Sequence, residues 1–183
     1  MYLTPGMIHD LKSVSDLSTR KGWEYAGKLD ITRKKGKLVY RGITYATSKQ
    51  RGCVHHELVR KMWDGPVTYH THPGIGGNHA TLPSDEDFGW CSNDRVSIIC
   101  DQLGYYVIRV QTDQKLNNVI RGVRRDPFLR ERQINHGGFE YFATTLPEWK
   151  YFINHELSPL LLSLHGVDLS YHGYDELHTT VIA

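Results

Sequence analysis

The stretch Tyr69-His70-Thr71-His72-Pro73, followed across a glycine-rich segment by Leu82-Pro83-Ser84-Asp85-Glu86-Asp87, decides how this chain is read. Val67 to His72 is short and apolar with strand character. Residues two apart in a strand project to the same side, so His70 and His72 can reach one ion together. Pro73 pushes His72 further towards an extended backbone. Pro73 to Pro83 holds three glycines and two prolines and reads as a loop. Ser84 then caps a helix running to Cys91. A catalytic zinc site has three protein ligands and an open fourth position for water. Asp87, at the start of that helix, is the natural third ligand, with Asp85 as its rival.

Composition agrees with a metal held by nitrogen and oxygen. The 183 residues include eleven histidines and only three cysteines, Cys53, Cys91 and Cys100, none of them in a CxxC pair. Sulfur ligation and a disulfide framework are therefore not expected. Hydrophobic residues make up 39% and charged residues 23%, the balance of an ordinary globular chain. The length suits one domain. Met1 to Arg20 lacks the apolar core of a signal peptide. The longest apolar run, Leu160 to Leu164, is far short of the roughly 20 residues that span a bilayer. No membrane segment is expected, and the setting is read as cytoplasmic, or at least intracellular, with the nucleus left open.

Outward from the histidine strand, periodicity assigns the remaining elements. Thr4 and Pro5 open a helix whose stripe is Ile8, Leu11, Val14 and Leu17, and Gly22 ends it. Trp23 to Thr32 and Lys37 to Tyr45 read as strands joined at Lys34-Lys35-Gly36. Val54, Leu58 and Met62 recur every four residues and suggest a helix from Lys49 to Trp63. Val96 to Cys100 and Tyr105 to Val110 read as buried strands separated at Gly104. Asp113 to Asn135 is charged and gives no clear pattern. Trp149, Phe152, Ile153 and Leu157 fit one helical face, Leu160 to Leu164 a further short helix, and the tail from His165 no element. The expected architecture is mixed α/β: residues 1–112 as the catalytic domain (core 23–110), and 113–183 as a mostly helical C-terminal extension packed on it.

His-x-His-Pro, a loop and then Ser-x-x-Asp resembles the JAMM (MPN+) metalloprotease signature. That family also carries an upstream glutamate within Glu-x-x-Gly-x-Leu, and Glu24-Tyr25-Ala26-Gly27-Lys28-Leu29 matches it in the right order. The resemblance covers Trp23 to Val110 and implies a JAMM/MPN-like, cytidine-deaminase-like central sheet flanked by helices. It departs in one respect. Family members usually have ten residues between the second histidine and the aspartate, and this chain has fourteen. Added residues in a glycine-rich loop cost little closure entropy.

The resemblance implies that His70, His72 and Asp87 bind Zn2+, which lowers the pKa of a bound water. Glu24 would take that water's proton and pass it to the leaving amine. Ser84 would stabilise the oxyanion. It further implies a hydrolase of peptide or isopeptide bonds, with ubiquitin or ubiquitin-like conjugates as the expected substrates. Two alternatives stand beside it: a non-catalytic assembly module, and the same chemistry on a small amide or a viral or phage structural protein.

Other readings are plainer. Ser84 with Asp87 also forms a helix-capping box. His55 and His56 fall on the expected helix about 100° apart and cannot easily share an ion. His79 reads as a surface-loop residue, and Trp23, Trp63, Trp90 and Trp149 as core or rim aromatics. Lys28 to Lys61 carries ten basic and two acidic residues, a local +8. That suits a solvated face or a docking site for an acidic partner. It lacks the interleaved aromatics of an RNA-binding motif, which argues against nucleic acid.

Overall fold

The computed structural model describes residues 3–62, 64–111, 116 and 118–176. The side chains of His56, Lys61 and Met62, together with Trp63, Asp113 and His178, lie outside that description.

The chain opens with α1 (Pro5–Lys21), capped by Thr4 and ended by Gly22 at φ +67°. Next come β1 (Ala26–Lys34) and β2 (Lys37–Ala46), turning on Lys35 and Gly36, both at positive φ. After α2 (His56–Met62) come β3 (Val67–Thr71), the two-residue β4 (His79–Ala80), α3 (Asp85–Gly89), β5 (Val96–Cys100) and β6 (Gly104–Val110). The C-terminal part holds a 3-10 turn (Val123–Arg125), α4 (Pro127–Arg132), β7 (Gln133–His136), β8 (Phe139–Ala143), α5 (Leu146–Tyr151), α6 (Ser158–His165) and β9 (Val167–Gly173).

Six strands form one mixed sheet in the order β2-β1-β3-β5-β6-β9, and β4-β8-β7 form a second, small one. In the large sheet only β3 and β5 run parallel among the paired strands. Alternation sorts the side chains between its two faces. Leu11 and Val14 of α1 pack with Tyr69, Ile98 and Tyr105 on one face. Ile99, Tyr106 and Leu169 pack with Phe88, Trp149 and Leu161 on the other. The architecture is thus a mixed α/β sheet with helices on both sides.

Three sequence expectations need correction. The helix over 49–63 shrinks to α2, because Gly52 sits at φ +80° and the His55 N–H is held by the Ser48 hydroxyl at 2.6 Å. The expected C-terminal extension is not helical throughout: among the described residues it supplies three strands beside its helices, and β9 pairs along the whole of β6. His79 belongs to β4, opposite Ala143, and not to a surface loop. The last helices form one run. Six residues of π-helix, Phe152–Leu157, join α5 to α6, where the ring and missing N–H of Pro159 would disrupt a regular α-helix.

Gly27, in β1, has a steric reason to lack a side chain. A Cβ there would lie 1.7 Å from the Thr44 carbonyl oxygen and 2.9 Å from the Tyr69 hydroxyl, which itself donates to that carbonyl at 3.0 Å. Gly27→Ala is expected to lower unfolding free energy by about 1–3 kcal/mol, the cost of overpacking a closed site. Denaturant melts of the two proteins check this, and an unchanged midpoint would contradict it.

Candidate metal centre

The site grows out of the strand alternation. Val67 and Tyr69 of β3 face α1, so Thr68 and His70 face the opposite side, where α3 approaches. His72 follows β3, its backbone N–H donating to the Cys100 carbonyl at 2.8 Å, which keeps it extended beside β5. α3 delivers the carboxylate. Ser84 is its N-cap, the Ser84 hydroxyl accepts the Asp87 N–H at 3.2 Å, and Asp87 Oδ2 accepts the Ser84 N–H at 2.6 Å. The capping box is therefore real, and it also fixes the orientation of Asp87.

His70 Nε2 and His72 Nε2 lie 3.1 Å apart. Asp87 closes the triangle, Oδ1 at 2.9 Å from His70 and Oδ2 at 3.4 Å from His72. A four-coordinate ion with bonds of about 2.0–2.1 Å needs donors roughly 3.3 Å apart, the scale of these contacts. Among the described residues these three form a group able to hold a metal ion. Their side chains are 18%, 11% and 13% exposed, so the group is shielded but reachable. Asp85 is occupied elsewhere: its Oδ1 accepts the Ile120 N–H at 2.7 Å. The fourteen-residue spacing therefore still brings Asp87 to the histidines.

Glu24 immediately precedes β1 and lines the same cleft as both histidines, Ser84 and Asp87. Its position rests on Thr71, the residue between the two histidines. The Thr71 hydroxyl accepts the Tyr25 N–H at 3.0 Å and donates to Ser18 Oγ at 2.8 Å. Ser18 in turn donates to the Trp23 carbonyl at 2.7 Å. The Thr71 N–H donates to the Tyr25 carbonyl, and the Glu24 N–H to Gln50. The backbone on either side of Glu24 is thus pinned to the histidine strand and to α1.

Burial raises the Glu24 carboxyl above the usual carboxylate range, against the pull of His72 and His70. Burial also opposes ionisation of Asp87, but the two imidazoles outweigh it and hold Asp87 well below that range. For His72, burial lowers the pKa while the charge and hydrogen bond of Asp87, followed by Glu24 and Asp101, raise it more, to about 9. Asp101 is a further buried acid that the sequence pattern did not single out. Burial raises it to about 6, although Tyr171, Gly104 and Leu103 all donate to its Oδ1.

The other described histidines are not part of the group. His55 is exposed on the approach to α2, and His172 stacks on Tyr105 with ring centroids 5.5 Å apart. Cys53 is a free thiol lining the cleft, Cys91 a free thiol 3.4 Å from the Asp87 carbonyl, and Cys100 is buried in the sheet. Trp149 is fully buried and Trp90 is exposed at the cleft, matching the core and rim assignments. No helix among the described residues is long and apolar enough to cross a membrane. Comparison with models of protein families, with curated protein sequences and with solved structures finds no match in any of the three.

Two outcomes are expected. A metal ligand must be a neutral imidazole, so a proton on His72 competes with the metal below about pH 9. Zinc affinity should therefore rise with pH from 6 towards 9, by up to about tenfold per unit, with proton release visible as buffer-dependent heat in titration calorimetry. A flat profile would contradict the His72 assignment. Thr71→Val should cost about 1–3 kcal/mol by stranding the buried Tyr25 N–H, read by thermal melting.

Proposed function

We propose that this chain is a zinc-dependent hydrolase of the JAMM/MPN+ type that cleaves a peptide or isopeptide bond, with ubiquitin-like conjugates as the leading substrate class. The observation that carries the reading is the convergence of two imidazoles and one carboxylate beside a half-buried glutamate, in a cleft of about 670 Å³. The motif order along the chain supports the family assignment, and the mixed sheet with helices on both faces is compatible with the fold it implies.

Zinc held by His70, His72 and Asp87 would supply Lewis acidity, bringing the pKa of water near neutrality. Glu24 accepts a proton from the attacking water. Its burial makes the protonated form accessible, as a group that must return the proton to the leaving amine requires. Ser84 Oγ already accepts the Asp87 N–H, so its own O–H remains available to donate to the oxygen that gains charge. The capping role and the oxyanion role therefore use different parts of one hydroxyl. The cationic β1–β2 hairpin, with Arg33, Lys34, Lys35 and Lys37 exposed, is the surface we assign to an acidic partner.

Glu24→Gln should keep zinc at full stoichiometry and lose at least ~100-fold in turnover, the scale of losing a general base. The assay is cleavage of a panel of ubiquitin and ubiquitin-like conjugates by zinc-loaded protein, with and without chelator. Turnover unaffected by the substitution would remove Glu24 from the mechanism. Protein that takes up no zinc at neutral pH would favour a non-catalytic assembly module.

A further inference from the structure

The cleft that holds the metal centre is also lined by an arginine that the hydrolytic chemistry does not use. Arg51 follows the loop after β2, and its Nη2 donates to the Tyr141 hydroxyl at 2.9 Å. The Tyr141 hydroxyl donates in turn to the carbonyl of Pro73 at 3.0 Å. Pro73 is the residue directly after His72, so two hydrogen bonds link the guanidinium to the main chain beside a metal ligand. The guanidinium carbon lies 5.1 Å from the ring centre of Phe139 and 5.7 Å from that of Tyr141. The adjoining Gly52 leaves room for this packing, since a Cβ there would meet Phe139 at 2.2 Å.

This arginine is held in place yet its charge is not neutralised. Among the described residues no carboxylate lies within ion-pair distance of Arg51, whereas nearby Arg124 pairs with Glu140 at 3.3 Å. Arg51 Nε is buried and finds no hydrogen-bond partner among the described residues. An orphan donor on an oriented guanidinium is costly unless something completes it. The planar fork matches a carboxylate through two parallel N–H···O bonds. The same cleft is lined by Glu24, Asp85, Glu86 and Asp87, so it holds acidic groups and the Arg51 guanidinium together.

The geometry points to Arg51 as a specificity residue that binds a carboxylate of the substrate beside the scissile amide. The substrate identity rests on the hydrolase reading above, but the binding function of Arg51 does not. Two sources supply the same group: an Asp or Glu side chain, or the free C-terminus of a peptide. Tyr141 and Phe139 act as positioning residues, orienting the fork without touching the substrate carboxylate.

The test is fluorescence polarisation with zinc-loaded protein and three labelled hexapeptide mixtures of randomised uncharged flanks. One carries a central Glu and an amidated end, the second Gln and a free C-terminus, the third Gln and an amidated end. Binding of the first or the second should be at least ~10-fold tighter than the third, the scale of a charge-assisted pair. Which of the two is preferred identifies the source. Arg51→Gln should abolish the preference, and Arg51→Lys, which keeps the charge but not the fork, should retain only part of it. Zinc stoichiometry and melting temperature, measured on each variant, show that the site and fold persist. Should Arg51→Gln not fold, Arg51→Lys and Tyr141→Phe carry the test, each with a reduced preference. Equal binding of all three mixtures, no binding of any, or a preference that survives in every folded variant would overturn the assignment. Cleavage without carboxylate preference would leave the hydrolase reading intact. A carboxylate preference without cleavage would sink the hydrolase and leave Arg51.

Discussion

The hydroxyl of Thr71 is the constraint on which the site depends. It lies on the α1 side of the sheet, between two side chains that point the other way, and it binds both the chain entering β1 and the serine seam of α1. Because Thr71 is fully buried, these bonds are not exchanged for water, and breaking one strands a polar group in the core. His70 sits on the last rung between β1 and β3, opposite Ala26, while Glu24 precedes β1 and His72 follows β3. Beyond that last rung the sheet no longer sets their separation. The Thr71–Ser18–Trp23 chain takes over there, so Glu24 and the two histidines keep a fixed relation where the ladder has ended.

The carboxylate arrives by different means. α3 is only five residues long and would be marginal alone. Its first turn is closed by the reciprocal Ser84–Asp87 bonds, and its start is tied by Asp85 to Ile120 far along the chain. Three neighbouring acids thus have separate environments. Asp87 faces the imidazoles, Asp85 holds a backbone amide, and Glu86 remains on the cleft wall. The rivalry between Asp85 and Asp87, open from spacing alone, is decided by a long-range contact that no local pattern contains.

Much of the site was legible because its signals are local. Alternation in a strand put His70 and His72 on one side, and a capping box marked where Asp87 would return. The central strands over 96–100 and 104–110 were legible as runs of buried β-branched and aromatic residues. Arg51 was not, since its significance lies in Tyr141, ninety positions later. The helix over 49–63 failed for a related reason: the four-residue recurrence of Val54, Leu58 and Met62 was outweighed by a left-handed glycine. Val167 to Gly173 alternates buried and half-buried residues throughout, a pattern that became a strand only against the free edge of β6. β7 and β8 are short and half-exposed, so they carry too little periodicity to stand out.

β9 also sets a timetable. The phenol of Tyr106, on β6, donates to the Thr81 carbonyl in the cleft and accepts the Trp149 indole N–H at 2.7 Å. The edge of β6 stays unpaired until residues 167–173 have been made. Translation at about 5–20 residues per second places roughly 5–20 s between the synthesis of His72 and that of Gly173. The two imidazoles thus exist on the ribosome well before the sheet is complete. A triangle of donors able to hold an ion is therefore a property of the finished fold, not of two histidines on a nascent chain.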